Sequence, residues 1–498
     1  MLRRPQHNSV AQVFFRAAML TLLPPVAWAT DGSELAPAAP DKPWIIPPPS
    51  DGAARAGALN YRERMRSLEQ GNAIPIEPDR RYSLAELIDL AQRSNPETRE
   101  AWEQARQAAL TVGLVESSYA PQISVEAVSG FQRTPLPIPT TLIYKGYFTS
   151  DTRELIPMLS LKWLLFDFGR RAGLDEAARA NSFVANVAFT GAHQKLIFAV
   201  SRAYFALGAA RGRLKAAQQA LETAETVQDA AQSRREHGLG TVVVLAQAQR
   251  QVAQARFALT KASGDERTAY ANLIATLGVA ADAQINIADS SEQPLPAEPP
   301  DNVETLLRDA LTNRPDVVAA LGKIDAAEAE LKSQRAAYYP TIALAGQVYQ
   351  NLGALSTEGS PYSSVNRPGA GIFLTLSVPV FDGGARASRT SVARSQVAAA
   401  RDKFDQARDA AAQQVVNAYN DLKSSLAAHS AAVALRMAAQ IAYDAALDAY
   451  VQGVGTYTDV ANEQTALERA NAEQEDAHAS VFTAAAALAF ATGAVQSR

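Results

Sequence analysis

The sequence predicts an α+β chain built from two similar halves, and three observations lead there. One is a duplication: Ala203 and Ala418, Gly238 and Gly453, and Gly278 and Gly493 are each 215 positions apart (418 − 203, 453 − 238, 493 − 278). A constant offset over that length leaves no net insertion or deletion between the copies, and an internal repeat fixes architecture before any other feature. Another is a long Ala-rich helical tract in each copy, reversed at Gly238-Leu239-Gly240-Thr241 and at Gly453-Val454-Gly455-Thr456. Each copy is therefore a long αα-hairpin. The third is a change of hydrophobic period to two, over four stretches upstream of the hairpins, which is the signature of strands with one apolar face.

Composition narrows the function classes. Length alone, 498 residues, would suggest about three domains, but the duplication argues for one body of two halves. Apolar residues make up 47% and charged residues 20%, which excludes bulk disorder. A net charge of −4 without a basic block gives no sign of a nucleic-acid partner, and none is expected. The absence of cysteine rules out disulfides, thiolate metal sites and a lipid-bearing N-terminal cysteine. His7, His193, His237, His429 and His478 show no ligand spacing, and no nucleophile motif accompanies them. No enzyme activity, metal or cofactor is expected.

In order along the chain, residues 1–29 read as a cleaved export signal. Arg3, Arg4 and Arg16 precede an apolar run that ends in Ala27-Trp28-Ala29. No later stretch has the 18 or more apolar residues of a spanning helix. Residues 30–82, with Pro37, Pro40, Pro43 and Pro47-Pro48-Pro49, read as an extended arm, with a short helix near Tyr61–Gln70. The first repeat occupies 83–285, a linker 286–301 and the second repeat 302–498.

Order is expected to begin at a capping box, Ser83 with Glu86. Asn95-Pro96 divides two helices, and Arg314-Pro315-Asp316 divides their equivalents at an offset of 219 (315 − 96). The strands follow Pro121 and Pro340. Ile123, Val125, Ala127 and Phe131 alternate with polar residues, as do Ile342, Leu344, Val348 and Leu352. Two further strands carry Leu155, Leu159, Leu161, Trp163 and Leu165, and Ile372, Leu374, Leu376, Val378 and Val380. At about 9–13 residues each they suit a tilted crossing of a hydrocarbon layer. Loops are expected over 136–153 and 353–370. Four strands cannot close a barrel, and an open edge is not tolerated in lipid. Either several chains share one barrel, or the strands form a water-soluble sheet.

The second strand of each pair ends in a matched phrase, Phe166-Asp167-Phe168-Gly169 and Phe381-Asp382-Gly383-Gly384, with Arg171 and Arg386 following. An aspartate there is read as structural, capping a helix start. In the first hairpin Val200, Leu207, Leu214 and Leu221 recur every seven residues, as do Leu245, Val252 and Leu259, predicting coiled-coil-like packing. In the second, His429 and Arg436 replace Leu214 and Leu221, and the stripe moves to Leu422, Leu426 and Val433.

These motifs, each present twice and in the same order over roughly residues 83–496, resemble the TolC-like outer-membrane channel proteins of Gram-negative bacteria. The resemblance implies an α+β membrane protein that forms a homotrimer. Four strands per chain would complete a twelve-stranded transmembrane β-barrel in the lipid bilayer of the outer membrane, and the long α-hairpins would form an α-barrel reaching into the periplasm. It implies a passive exit duct with no catalytic step. Substrates would arrive from an inner-membrane transporter (RND, MFS or ABC type) through a periplasmic adaptor, a membrane fusion protein. Small-molecule efflux is the leading expectation and type I protein secretion the alternative; a soluble periplasmic α-hairpin adaptor would leave the apolar-faced strands unexplained.

The resemblance also assigns sites. Gly238, Leu239, Gly240, Thr241, Gly453, Val454, Gly455 and Thr456 match turns that adaptor hairpins grip, although glycine also suits any tight reversal. Asp459 matches the first of two aspartates ringing the periplasmic gate. Asn462 stands at the second, with Glu463 beside it. Tyr450 matches a tyrosine that ties neighbouring helices shut, and a core aromatic is the other reading.

Overall fold

The computed structural model describes residues 76–77, 80–142, 144–289, 293–296 and 302–495. The expected export signal, the arm up to residue 75 and the short helix near Tyr61–Gln70 lie outside the described residues.

The described residues open with strand β1 (Arg81–Tyr82), helix α1 (Leu84–Ser94) and helix α2 (Pro96–Glu116). Ser83 and Glu86 form the expected capping box: the Ser83 hydroxyl accepts from the Glu86 N–H, and the Glu86 carboxylate accepts from the Ser83 N–H. After a 3-10 turn come β2 (Gln122–Pro137) and β3 (Tyr147–Phe166), then the hairpin of α3 (Arg170–Glu236) and α4 (Val242–Leu277). At 1.5 Å per residue, the 67 residues of α3 reach about 100 Å. The second half opens with β4 (Asn286–Ile287), α5 (Val303–Asn313) and α6 (Pro315–Ala336). Strands β5 (Thr341–Asn351), β6 (Ala354–Thr357), β7 (Ser363–Ser364) and β8 (Arg367–Ser377) follow, then the hairpin of α7 (Ala385–Gln452) and α8 (Tyr457–Ala491).

The two prolyl junctions have a clear purpose. Asn95 caps α2 and donates from Nδ2 to the Thr276 carbonyl, while the Ser94 hydroxyl donates to that of Leu277. In the second half Arg314 donates to the Ala491 carbonyl at 3.0 Å and pairs with Asp316. Each junction thus satisfies carbonyls left free at the end of its own returning helix. Gly278 and Gly493 close those helices at φ +72° and +71°. A Cβ would sit 2.8 Å from Asn95 Cα in the first and 2.9 Å from Asn313 C in the second. Glycine is needed there for both reasons.

The cores repeat too. Val200, Tyr204, Leu207 and Leu273 are buried in the first half, and Val415, Tyr419, Leu422 and Leu488, each 215 positions on, are buried in the second. The linker expected at 286–301 is partly structured, because β4 pairs in parallel with β1, Tyr82 opposite Ile287.

Strands β2, β3, β5 and β8 form one antiparallel sheet in that order. The helices joined to them pack in the same sequence, α2, α3, α6 and α7, so each strand continues the path of its helix. Strands β2 and β3 have 16 and 20 residues, longer than the alternation suggested. Ladder hydrogen bonds carry the pairing on to Pro137 and Tyr147 after the apolar alternation has ended. The first loop therefore shrinks to 138–146. The second expected loop holds β6, which pairs with the outer end of β3, together with β7 and the start of β8. Strand β8 stops at Ser377 rather than running to Val380, because Pro379 has no N–H to give a ladder.

Register places Val125, Leu159 and Val348 side by side, with Trp163, Leu344 and Leu374 further along the same face. This face is apolar yet uncovered; Val125 is 79% exposed. The other face carries Ser124, Glu126, Ser160, Lys162, Gln347 and Thr375. Among the described residues, β2 and β8 are each paired on one side only. No helix among them is long and apolar enough to cross a membrane.

Candidate functional site: the sheet junction and the hairpin tips

Two arginine clamps join the sheet to the hairpins. Asp167 Oδ2 accepts from both the backbone N–H and Nε of Arg171, whose other nitrogens donate to the Ser118 and Leu165 carbonyls. Asp382 and Arg386 repeat this, with Arg386 Nη1 donating to the Pro379 carbonyl. The guanidinium groups lie over the Tyr119 and Tyr338 rings, at 4.5 and 5.3 Å from their centroids. The structural role expected of both aspartates is what the geometry shows.

At the far ends, both tips are tight reversals. Gly238 and Gly453 adopt φ +76° and +83°. Leu239 N–H returns to the Arg234 carbonyl, and Val454 N–H to that of Ala449. Thr241 and Thr456 then start the returning helices as N-caps, accepting from the N–H groups of Val244 and Asp459. Gly240 and Gly455 lie close against the preceding helix, where an added Cβ would come within 3.0 Å of Arg235 N and of Ala449 Cβ. The tips present apolar side chains to solvent: Leu239, Val242 and Val243 on one, Val451 and Val454 on the other.

Asp459 is exposed and completes a capping box, its Oδ2 accepting from the N–H and hydroxyl of Thr456. The Thr456 hydroxyl and N–H hold its carboxyl below the usual carboxylate range, so it stays charged. Asn462 is exposed and Glu463 half-buried one turn further along α8. Tyr450 is buried, packed against Tyr457 with ring centroids 6.2 Å apart.

Sequence reading missed Arg234. Its guanidinium lies 4.6 Å from the Tyr450 ring centroid and ties the two tips of one chain together. Nothing in the run Ser233-Arg234-Arg235-Glu236 sets it apart from a solvated helix face. It also missed Gln464, buried on α8 and donating to the Ala220 carbonyl of α3.

Among the described residues, a sheet whose four long strands have an uncovered apolar face and two open edges, mounted on helical hairpins about 100 Å long, defines a subunit of an outer-membrane α-barrel and β-barrel channel. The chain belongs to the outer membrane efflux protein family, which it matches over residues 87–279 and 306–494. Protein CyaE of Bordetella pertussis is 29% identical over 396 residues, covering 80% of this chain and 75% of CyaE. The cation efflux system protein CusC of Escherichia coli is 25% identical over 348 residues, covering 68% and 69%.

Solved structures share the fold. CusC superposes with a TM-score of 0.69 at 21% identity, over 82% of this chain and 92% of that one. The open state of the Neisseria gonorrhoeae MtrE outer-membrane channel does so with 0.66 at 22%, over 82% and 88%. The protein is thus an outer-membrane transport protein.

Proposed function

We propose that three copies of this chain assemble into a passive exit duct for small molecules. An inner-membrane pump of a tripartite system would deliver the cargo through a periplasmic adaptor. The observation that carries the reading is the sheet: four strands, an uncovered apolar face and unpaired edges at β2 and β8. Backbone groups at those edges need partners in lipid. Pairing β2 of one copy with β8 of the next supplies them, closes twelve strands and turns the apolar face to the bilayer. Relatives named as efflux proteins, CusC and BepC among them, support efflux as the task.

In this assembly the exposed valines and Leu239 at the tips form the adaptor-contacting surface, with Gly238, Gly240, Thr241, Gly453, Gly455 and Thr456 shaping it. Three Asp459 carboxylates ring the periplasmic entrance, with Asn462 and Glu463 behind them, and ionised acids there favour cations. Tyr450, held by Arg234, fixes the relative position of the two tips. Asp459→Asn keeps an acceptor for the Thr456 hydroxyl while removing charge. It is expected to lower the cation-over-anion permeability ratio severalfold in planar bilayers, with little change in helix content by circular dichroism. Unchanged ion selectivity would remove Asp459 from the gate.

The absence of cysteine makes the partner test clean. Val454→Cys, at an exposed position of the tip, cross-linked in whole cells and analysed by mass spectrometry, is expected to capture the adaptor of a proton-driven exporter. Capture of an adaptor from an ATP-driven secretion system would replace small-molecule efflux by type I protein secretion. No capture by a demonstrably reactive cysteine would sink the tip assignment.

A further inference from the structure

The second hairpin carries titratable groups where the first carries leucine. Leu214 and Leu221 of α3 are half-buried, and at the equivalent positions of α7 (429 − 214 and 436 − 221 both give 215) stand His429 and Arg436, also half-buried. Across the seam, α8 presents His478, with its ring centroid 5.6 Å from that of His429, and Glu475 one turn nearer the tip. On the other side α3 makes room for the acid, since a Cβ at Gly212 would overlap the Glu475 carboxylate.

Every packed element contributes charge. Lys215 on α3 acts on Glu475, and so do Arg436 on α7 and Asp476 on α8, while Asp289 after β4 acts on both Glu475 and His478. Arg213 on α3 pairs with Asp476 at 3.5 Å, and Arg211 with Glu266 of α4 at 3.4 Å. Phe482 closes the end away from the tip, its centroid 5.0 Å from that of His478 and 4.8 Å from that of Phe205. Among the described residues, Arg436 Nε and Gln474 Oε1 are buried without a hydrogen-bond partner.

We propose that this cluster is an acid-responsive catch: with His478 neutral, α7 lies against α8 through the ring contact of His429 with His478, and protonation of His478 parts the two helices and loosens the entrance below. The consequence for the entrance rests on the duct reading; the separation of the helices does not.

The charges set the direction. At neutral pH, Arg436 and Lys215 face Asp289 and Glu475. Protonation of His478 adds an imidazolium charge against the His429 ring, in a cluster that already holds Arg436 and Lys215. Burial, reinforced by His429, holds the His478 imidazole below the usual histidine range, with Asp289 opposing. The packed state therefore binds fewer protons than the separated one. Its advantage is full above the ordinary histidine value of about 6.5 and is lost as pH falls through it. Burial raises the Glu475 carboxyl, so acid also tends to remove the negative charge that faces Arg436.

The test places spin labels at exposed positions on the two helices, through Ser430→Cys and Ser480→Cys in the otherwise cysteine-free protein. The same protein is recorded in planar bilayers. Lowering pH from about 7.5 to about 5.5, across the histidine range, is expected to lengthen the label distance and raise conductance severalfold. His429→Leu, which copies Leu214 and removes the ring that faces His478, is expected to shrink both pH-dependent changes. His478→Gln serves as the second variant should His429→Leu fail to assemble. Asp459→Asn is expected to keep the pH-dependent distance change. A label distance unchanged by pH, or an undiminished shift in the histidine variants, overturns the catch. A distance that responds to pH in a protein that forms no channel leaves the catch standing and removes the duct.

Discussion

Arg171→Ala is expected to cost about 3–5 kcal/mol, the usual penalty for removing one partner of a buried ion pair. Arg171 and Asp167 are each 8% exposed at the side chain and bonded at 3.0 Å. Removing the guanidinium strands a carboxylate in a buried site and also frees the Ser118 and Leu165 carbonyls. Those carbonyls sit where the chain enters β2 and leaves β3, so the damage falls at the join between sheet and helix. The measurement is the temperature at which the folded oligomer disappears on unheated-versus-heated gels. Arg386→Ala is the internal control. Its partner Asp382 is more open, at 30%, so the loss there should be clearly smaller. Equal losses at the two sites would mean that burial is not what makes the first clamp matter.

Val125→Arg is expected to be nearly as severe, and it tests which face of the sheet meets lipid. An arginine on the lipid face of a transmembrane barrel costs about 2–4 kcal/mol near the midplane and falls towards zero at the interfaces. Val125 lies in the apolar band beside Leu159 and Val348. Three copies would each bear the penalty, so assembled protein in outer-membrane fractions should drop sharply. Glu126→Arg, one residue on and on the opposite face, is expected to assemble normally and change only conductance or ion preference. Equal tolerance of both substitutions would mean that the sheet does not cross a bilayer.

The opposite faces of neighbouring residues were legible because the side-chain period of a strand is two. The ends of the strands were not. Past Gln132 the alternation stops, yet the ladder between β2 and β3 runs to Pro137, because backbone pairing needs no apolar side chain. Strand β6 escaped notice for a similar reason. Ala-Leu-Ser-Thr is too short to show a period, and it is held by its register against β3, from Ser150 to Arg153.

The tips divide in the same way. Gly238, Gly240, Gly453 and Gly455 stand out in any reading because tight reversals demand them. Arg234 does not, because its importance lies in a ring on another helix, 216 residues away (450 − 234).

By itself the sequence determined the duplication, the long hairpins and their turn positions, the capping box at Ser83, and the apolar face of the strands. All of these rest on local spacing, which one chain displays in full. Only the tertiary structure decided that Asn95 and Arg314 cap the returning helices, that strand and helix order coincide, that two sheet edges stay open among the described residues, and that His429 meets His478. Those facts depend on which distant segments touch. Contact across the fold is set by the sum of many packing and hydrogen-bond terms, which no short stretch of sequence contains.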